Sequence, residues 1–284
     1  MGKLDITVTG TLQIDATSRI DVTARGFLGG RQPGNPFVGS GSQAGFFFGM
    51  TAGFQSGSTG RTGGSYGGLG GTGEVGAPNA VYGDFRNPND PGSGGAAATG
   101  TGGSGGGLVR IIAQSLQLDG IIKADGGNGV IDASGGSGGS IRLDVGILTG
   151  AGQITATGGN GIFGGGGGAG RVGVYYQNLT GFNISRITAF GGIGGNGRPH
   201  GGAGTVYLQG LGRENGELII DNNNITVDSL STPILNPASG SISLTHLRAR
   251  RAARVSLSSL LGLTGVLEIS SSPTFPPVFF LLAV

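Results

Sequence analysis

The sequence predicts an all-β chain: a right-handed parallel β-helix, or solenoid, whose coils carry long glycine-rich loops. Three observations lead there. The first is an internal repeat between Leu108 and Gly210. Val109-Arg110-Ile111, Ile141-Arg142-Leu143 and Val172-Gly173-Val174 open three units, and Ile121-Ile122-Lys123-Ala124, Gln153-Ile154-Thr155-Ala156 and Arg186-Ile187-Thr188-Ala189 follow them. Glycine runs starting at Gly126, Gly158 and Gly191 close the units, giving a register of 32 and then 33 residues. A fixed period of this size marks stacked repeats. The second observation is alternation of apolar and polar residues within the short segments, the period of a half-buried strand. The third is composition. Glycine supplies 67 of 284 residues without a Gly-X-Y period, which excludes collagen, while 36% hydrophobic and only 11% charged residues favour a folded core over disorder.

Residues 1–25 read as the first coils. Segments 4–8, 12–15 and 19–23 alternate, and Thr11-Leu12-Gln13-Ile14-Asp15 echoes Ser115-Leu116-Gln117-Leu118-Asp119, so the opening is another copy of the repeat. Residues 26–107 form a long insertion rich in Gly, Ser, Thr and Pro. Ordinary loops are far shorter, so a stretch of this size is either functional or disordered. Its aromatics and carboxylates favour order, and Tyr66, Tyr82, Asp84, Phe85 and Asp90 are the candidate ligand-binding residues.

Residues 108–210 are the repeat core, with Val206-Tyr207-Leu208 opening a fourth unit. One unit cannot bury its own apolar face, but stacked units cover one another. In-register stacking would put Ile111, Leu143, Val174 and Leu208 in one ladder and Ile122, Ile154 and Ile187 in another. Right-handed crossovers dominate parallel sheets. The glycine runs 135–139, 164–168 and 191–197 have two readings. They are mobile surface loops, or they are extended threefold helices of the polyglycine II type, packed side by side so that backbone groups satisfy one another.

Residues 211–284 are poorer in glycine and continue as C-terminal coils, with strands expected at 217–221, 225–227, 234–235, 241–244, 255–257 and 263–269. The apolar end, Pro276-Pro277-Val278-Phe279-Phe280-Leu281-Leu282-Ala283-Val284, is too short for a membrane span, which needs about 20 such residues. It suits a final strand or a partner-contacting edge.

Catalytic and metal motifs are scarce. A formal charge of +2 gives little basis for nucleic-acid affinity, and the absence of Cys removes disulfides, Cys–zinc sites and thiol chemistry. Gly-x-Gly-x-x-Gly matches are uninformative in this composition, and no phosphate-binding Gly-Lys-Ser/Thr loop occurs. The calcium-binding Gly-Gly-x-Gly-x-Asp repeat fails, because Ile131 takes the aspartate position. His200 and His246 sit in dissimilar contexts, and the Gly-x-Ser-x-Gly matches at Ser104 and Ser137 lie inside glycine tracts rather than on a strand–helix elbow. Asp119, Asp125 and Asp144 on adjacent coils would be the carboxylates of a polysaccharide lyase or hydrolase, against the plainer reading that they cap turns. Arg248, Arg250, Arg251 and Arg254 read as a solvated or salt-paired face. No cofactor and no metal are implied.

Gly135-Gly136-Ser137-Gly138-Gly139-Ser140 followed by Ile141-Arg142-Leu143-Asp144-Val145-Gly146, and 164–170 followed by Arg171-Val172-Gly173-Val174-Tyr175-Tyr176, resemble glycine-rich repeats of very large exported bacterial surface proteins. The tracts are also similar in kind to the polyglycine-helix tips of phage adhesins. The resemblance covers about residues 1–230 and implies a non-catalytic structural or adhesive segment of a longer exported, cell-surface chain. Its partners would be cell-surface polysaccharide or neighbouring subunits. The rival readings are a carbohydrate enzyme on a β-helix and a self-assembling extracellular fibre.

Overall fold

The computed structural model describes all residues except 180, 228–231, 235–240, 258–259, 271–277 and 282–284. The chain is all-β. In order, its strands are β1 (Lys3–Ile14), β2 (Arg19–Asp21), β3 (Met50–Thr51), β4 (Gln55–Ser56), β5 (Leu108–Leu118), β6 (Ile121–Lys123) and β7 (Ser140–Thr149). There follow β8 (Gln153–Thr155), β9 (Arg171–Asn178), β10 (Ile187–Thr188), β11 (Thr205–Gly210), β12 (Glu217–Asp221) and β13 (Thr232–Ile234). The last are β14 (Ser241–Leu244), β15 (His246–Arg250), β16 (Arg254–Leu257), β17 (Leu260–Leu263), β18 (Leu267–Ile269) and β19 (Val278–Leu281).

The main sheet runs β1-β5-β7-β9-β11-β12-β15-β18, and a second sheet runs β10-β8-β6-β2. The pairings follow the repeat register. Ile6, Ile111, Leu143, Val174 and Leu208 form one ladder, and Ile20, Ile122, Ile154 and Ile187 form the other. The N-terminal echo is real pairing: Thr11 to Ile14 lie opposite Ser115 to Leu118. The two ladders face each other and, with Val109, Leu116, Leu118 and Leu148, make one buried aliphatic core. Each fully buried side chain of this kind contributes about 1.5–3 kcal/mol.

The main sheet is mixed, which departs from the uninterrupted parallel stack expected. β11 and β12 pair antiparallel. Only residues 211–216 separate them, with Gly212 at φ +77° in the turn. A parallel crossover needs a dozen or more residues, so this link can only make a hairpin. The fourth unit therefore has no second strand. Further on, β13-β16-β19 and β14-β17 form small parallel sheets around a second core that includes Tyr207, Leu218, Ile242, Leu247 and Val255. The expected strand at 225–227 is absent, and Leu235 lies outside the described residues.

The glycine runs are not surface loops. Residues 135–139, 164–168 and 191–192 are buried, with only the end of the third run at the surface, and the runs hydrogen-bond to one another with a period of three. Between Ser134 and Gly139, the N–H groups of Ser134 and Ser137 donate to Ala96 and Ser93, those of Gly135 and Gly138 to Gly165 and Gly168, and those of Gly136 and Gly139 to Gly127 and Ala124. Ser134 and Ser137 accept from Gly103 and Gly106, Gly135 from Gly64 and Gly136 from Gly159. One thread thus touches six neighbours and turns once every three residues. Three of those neighbours (around Gly64, 93–96 and 103–106) belong to the insertion, so 26–107 is built into the same bundle. Of the two serines in this thread, Ser137 uses its hydroxyl, its Oγ accepting from Ser93 N at 2.8 Å, whereas the buried Ser134 Oγ has no hydrogen-bond partner.

Candidate functional site

The predicted ligand-binding residues cluster, but mostly inside the protein. Tyr66 is fully buried and its hydroxyl lies 2.7 Å from Ser140 Oγ. Ser140 in turn donates to the Asp90 carbonyl at 2.6 Å. Tyr82 donates to the Pro91 carbonyl at 2.6 Å and stacks tilted on Tyr66, ring centres 4.8 Å apart. Phe85 is buried edge-on against Tyr207. Asp84 Oδ1 accepts from Arg86 N and so closes the turn that carries Phe85. The half-buried Asp90 carboxyl is pushed up by burial, opposed by the nearby Arg171 charge. Tyr66 and Phe85 are removed from the outer surface, while Tyr82, Asp84 and Asp90 are half-buried. The reason is packing: these rings hold residues 77–91 of the insertion against β7, β9 and β11.

The residue at the centre of this clamp was missed by sequence reasoning. Arg171 is 1% exposed, and its Nε and Nη2 donate to the Tyr82 carbonyl. A signal existed, since Arg171 occupies the ladder position that is Leu108, Ser140 and Thr205 in the other units. Around it, Arg142 donates to Asn87 at 2.6 Å and lies over the Tyr175 ring, and the Tyr175 hydroxyl donates to the Arg86 carbonyl.

Burial pushes the Tyr66 and Tyr175 phenols up to about 12, and that of Tyr82 upward as well. A folded-state pKa raised above the unfolded value of 10.0 means that the neutral forms stabilise the fold fully below pH 10. This contribution is lost as pH rises towards about 12. Stability to urea is expected to fall across that window, with tyrosinate absorbance appearing together with unfolding. Phenols that titrate near pH 10 in a still-folded chain would refute the clamp.

The other candidates of catalytic type are occupied structurally. Asp125 accepts from Thr157 N at 2.8 Å, Asp119 from Ala151 N at 3.1 Å, and Asp144 pairs with Arg142. His200 Nδ1 accepts from Gly194 N, and His246 Nδ1 from Val266 N. Arg248 and Arg250 pair with Glu268, and Arg251 with Asp221. Among the described residues no group of three His, Cys, Asp or Glu could hold a metal, and no helix is long and apolar enough to cross a membrane.

An outer surface with unusual chemistry lies at the far tip of the glycine bundle, where threads turn back. Five turns there place a residue other than glycine in the left-handed region: Arg31, Arg61, Ile131, Phe163 and Asn196, with φ between 53° and 61°. Such backbone costs a residue with a Cβ about 1–2 kcal/mol, and is least tolerated by bulky or β-branched side chains. This chain uses glycine freely, yet Ile131 and Phe163 occupy these turns and are 64% and 50% exposed. Bridges Val38–Phe47–Ala97–Ala133–Ile162 join the turns into one face, extended by exposed Val130 and Ile193. Arg61 anchors it, bridging Glu74 and Asp132 at 2.7 Å each. Arg31 lies over the Phe47 ring at 4.7 Å. Val130, Ile131, Ile162, Phe163 and Ile193 all expose apolar side chains in or beside these turns, while the bridged Ala97 and Ala133 are fully buried.

Comparison with family models, curated proteins and solved structures finds no match to this chain.

Proposed function

We propose that this chain is a non-catalytic, adhesive segment of an exported cell-surface repeat protein, and that its contact surface is the tip of the glycine bundle. We read the scaffold as a β-solenoid with right-handed crossovers, and the glycine threads as polyglycine II helices. The observation that carries the reading is the tip itself. Ile131 and Phe163 hold strained backbone while exposing apolar side chains to solvent. Strain of this kind is kept where surrounding structure enforces it, and it clusters at functional positions. A rigid bundle anchored on a stacked aliphatic core suits display of such a face. The extracellular setting and the longer parent chain rest on the repeat resemblance. The partner class is cell-surface polysaccharide or a neighbouring subunit of the same assembly.

The test is saturable binding of the purified chain to intact cells and to immobilised cell-surface polysaccharides, compared with the double variant Ile131→Gly/Phe163→Gly. Binding should fall tenfold or more. The thermal midpoint should hold or rise, because glycine relieves about 1–2 kcal/mol of left-handed strain per site. Unchanged binding in the variant would move the contact surface away from the tip, and specific turnover abolished by Asp119→Asn or Asp144→Asn would replace the adhesive reading altogether.

A further inference from the structure

The stacked coils carry two more rows of residues just beyond the second sheet. Thr23, Asp125, Thr157 and Phe190 each stand two positions past the end of β2, β6, β8 and β10. Asn128, Asn160 and Ile193 form a second row three positions further on. Backbone bonds hold the register, since Ala24 N donates to Asp125, Gly126 N to Thr157 and Gly158 N to Phe190. All of these residues line one groove of about 530 Å³. That lies within the range of about 300–1,000 Å³ typical of binding pockets. Neighbouring strands lie about 4.8 Å apart, so a groove across the coils of this sheet runs about 14 Å along the stack.

The polar groups of this groove are fixed in place, and its charges cancel. Asn128 Oδ1 accepts from Asn160 N, and Asn160 Oδ1 from Ile193 N, each at 2.8 Å. The two exposed amides are therefore locked in the same pose, one coil apart. Their Nδ2 groups and the Thr157 hydroxyl make no hydrogen bond among the described residues. Asp125 commits its carboxylate to Thr157 N, Thr155 Oγ1 and Lys123 Nζ, the last at 3.2 Å. One end of the groove is apolar, formed by the half-buried Phe190 and by Ile193. The backbone between the rows is bonded coil to coil, as Gly129 N to Asn160 and Gly161 N to Ile193. An extended peptide thus finds no open ladder to join, and recognition falls to the side chains.

We infer that this groove binds a neutral oligosaccharide, laid along the stack across neighbouring coils. Its hydroxyls accept from the Asn128 and Asn160 amides and pair with the Thr157 hydroxyl, the free donors of the groove. Those amides recur at the coil spacing, which is close to the repeat of linked pyranose rings. The C–H face of a ring packs on Phe190, so one ligand meets both the polar rows and the apolar end. An acidic polymer is disfavoured, because the one cation lining the middle of the groove, Lys123, is already paired with Asp125. Amides held by coil-to-coil bonds need no reordering on binding, which lowers its entropic cost. The inference deepens the adhesive reading and rests on it for the extracellular setting, but the tip residues Ile131 and Phe163 lie outside the groove.

The probes are cellotetraose, maltotetraose and chitotetraose, each titrated into the whole chain by calorimetry, with tetragalacturonate as the acidic control. Saturable binding of at least one neutral probe is expected, unchanged between about 0.1 and 1 M salt. Thr157→Val removes a hydroxyl that has no partner within the chain, and should weaken binding about three- to tenfold at an unchanged thermal midpoint. Thr157→Arg, whose long side chain occupies the groove, should weaken it tenfold or more, while Ile131→Gly/Phe163→Gly should leave it unaltered. No saturable binding of any neutral probe, binding of tetragalacturonate alone, or indifference to Thr157→Arg in a folded variant would each overturn the inference. Oligosaccharide binding that persists in a chain whose tip variant still holds cells would sink the adhesive tip and leave the groove standing.

Discussion

Gly167→Ala is expected to unfold the glycine bundle. A Cβ at this position would lie 1.9 Å from the Gly136 carbonyl oxygen and 2.5 Å from its carbon. Both are backbone atoms, so no side chain can swing aside. Moving either thread breaks further bonds, since Gly167 donates to Gly159 and accepts from Gly192, while Gly136 donates to Gly127. Ordinary overpacking costs about 1–3 kcal/mol. Here the clash is with a fixed carbonyl inside a bonded lattice, and the expected loss exceeds about 4 kcal/mol, a large part of the 5–15 kcal/mol that holds a typical domain. The matched control is Gly10→Ala in β1, where a Cβ meets nothing within 4 Å and φ is not left-handed. That change should be neutral or stabilising by about 0.4–1 kcal/mol. Urea midpoints of the two variants decide the matter, and equal midpoints would mean that the threads are not close-packed.

The contrast between those two glycines shows where the sequence is legible. The aliphatic ladders could be read because strands carry side chains with a period of two, and the repeat fixes their register; Ile122, Ile154 and Ile187 stack as their spacing implies. A glycine thread has no side-chain pattern. Gly167 stands in a run of identical residues and Gly10 alone between two threonines, but neither context says which backbone atoms folding brings against the α-carbon. The partners of the insertion were hidden for the same reason, since its hydrogen bonds run to residues about a hundred positions away, as that from Gly168 to Gly64 does. Aromatic residues in that insertion suggested a ligand surface, but the same residue types serve as internal anchors. The hairpin after β11 was hidden in residues 211–216, where a single left-handed Gly212 replaces a crossover.

Arg171→Ala should release the insertion from the core. The guanidinium is the largest fully buried side chain, and it is held by neutral partners: the Tyr82 carbonyl at 3.1 and 2.9 Å, Thr205 Oγ1 at 3.3 Å and the Tyr66 ring at 5.4 Å. No carboxylate comes within ion-pair distance among the described residues; Asp84 and Asp90 act on it only at longer range, and burial lowers its pKa. Truncation to alanine leaves the Tyr82 carbonyl without its donors, opens a cavity beneath Tyr66 and removes a ring contact. Hydrogen bonds from a charged donor are worth about 1.5–3 kcal/mol, and large-to-small changes in a core about 2–5, so a loss of about 3–5 kcal/mol is expected. Arg171→Lys should recover little, because one ammonium cannot span the Tyr82 carbonyl and Thr205 as the planar fork does. Arg110→Ala, on an exposed face of β5 with its Nε 3.7 Å from Asp144, should cost about 0–1 kcal/mol. A specific signature separates a clamp from general core damage. In Arg171→Ala, residues 77–91 should become protease-sensitive at urea concentrations where the β5–β7–β9 ladder still resists. Cleavage there only after global unfolding would show that the insertion is held by the glycine threads alone.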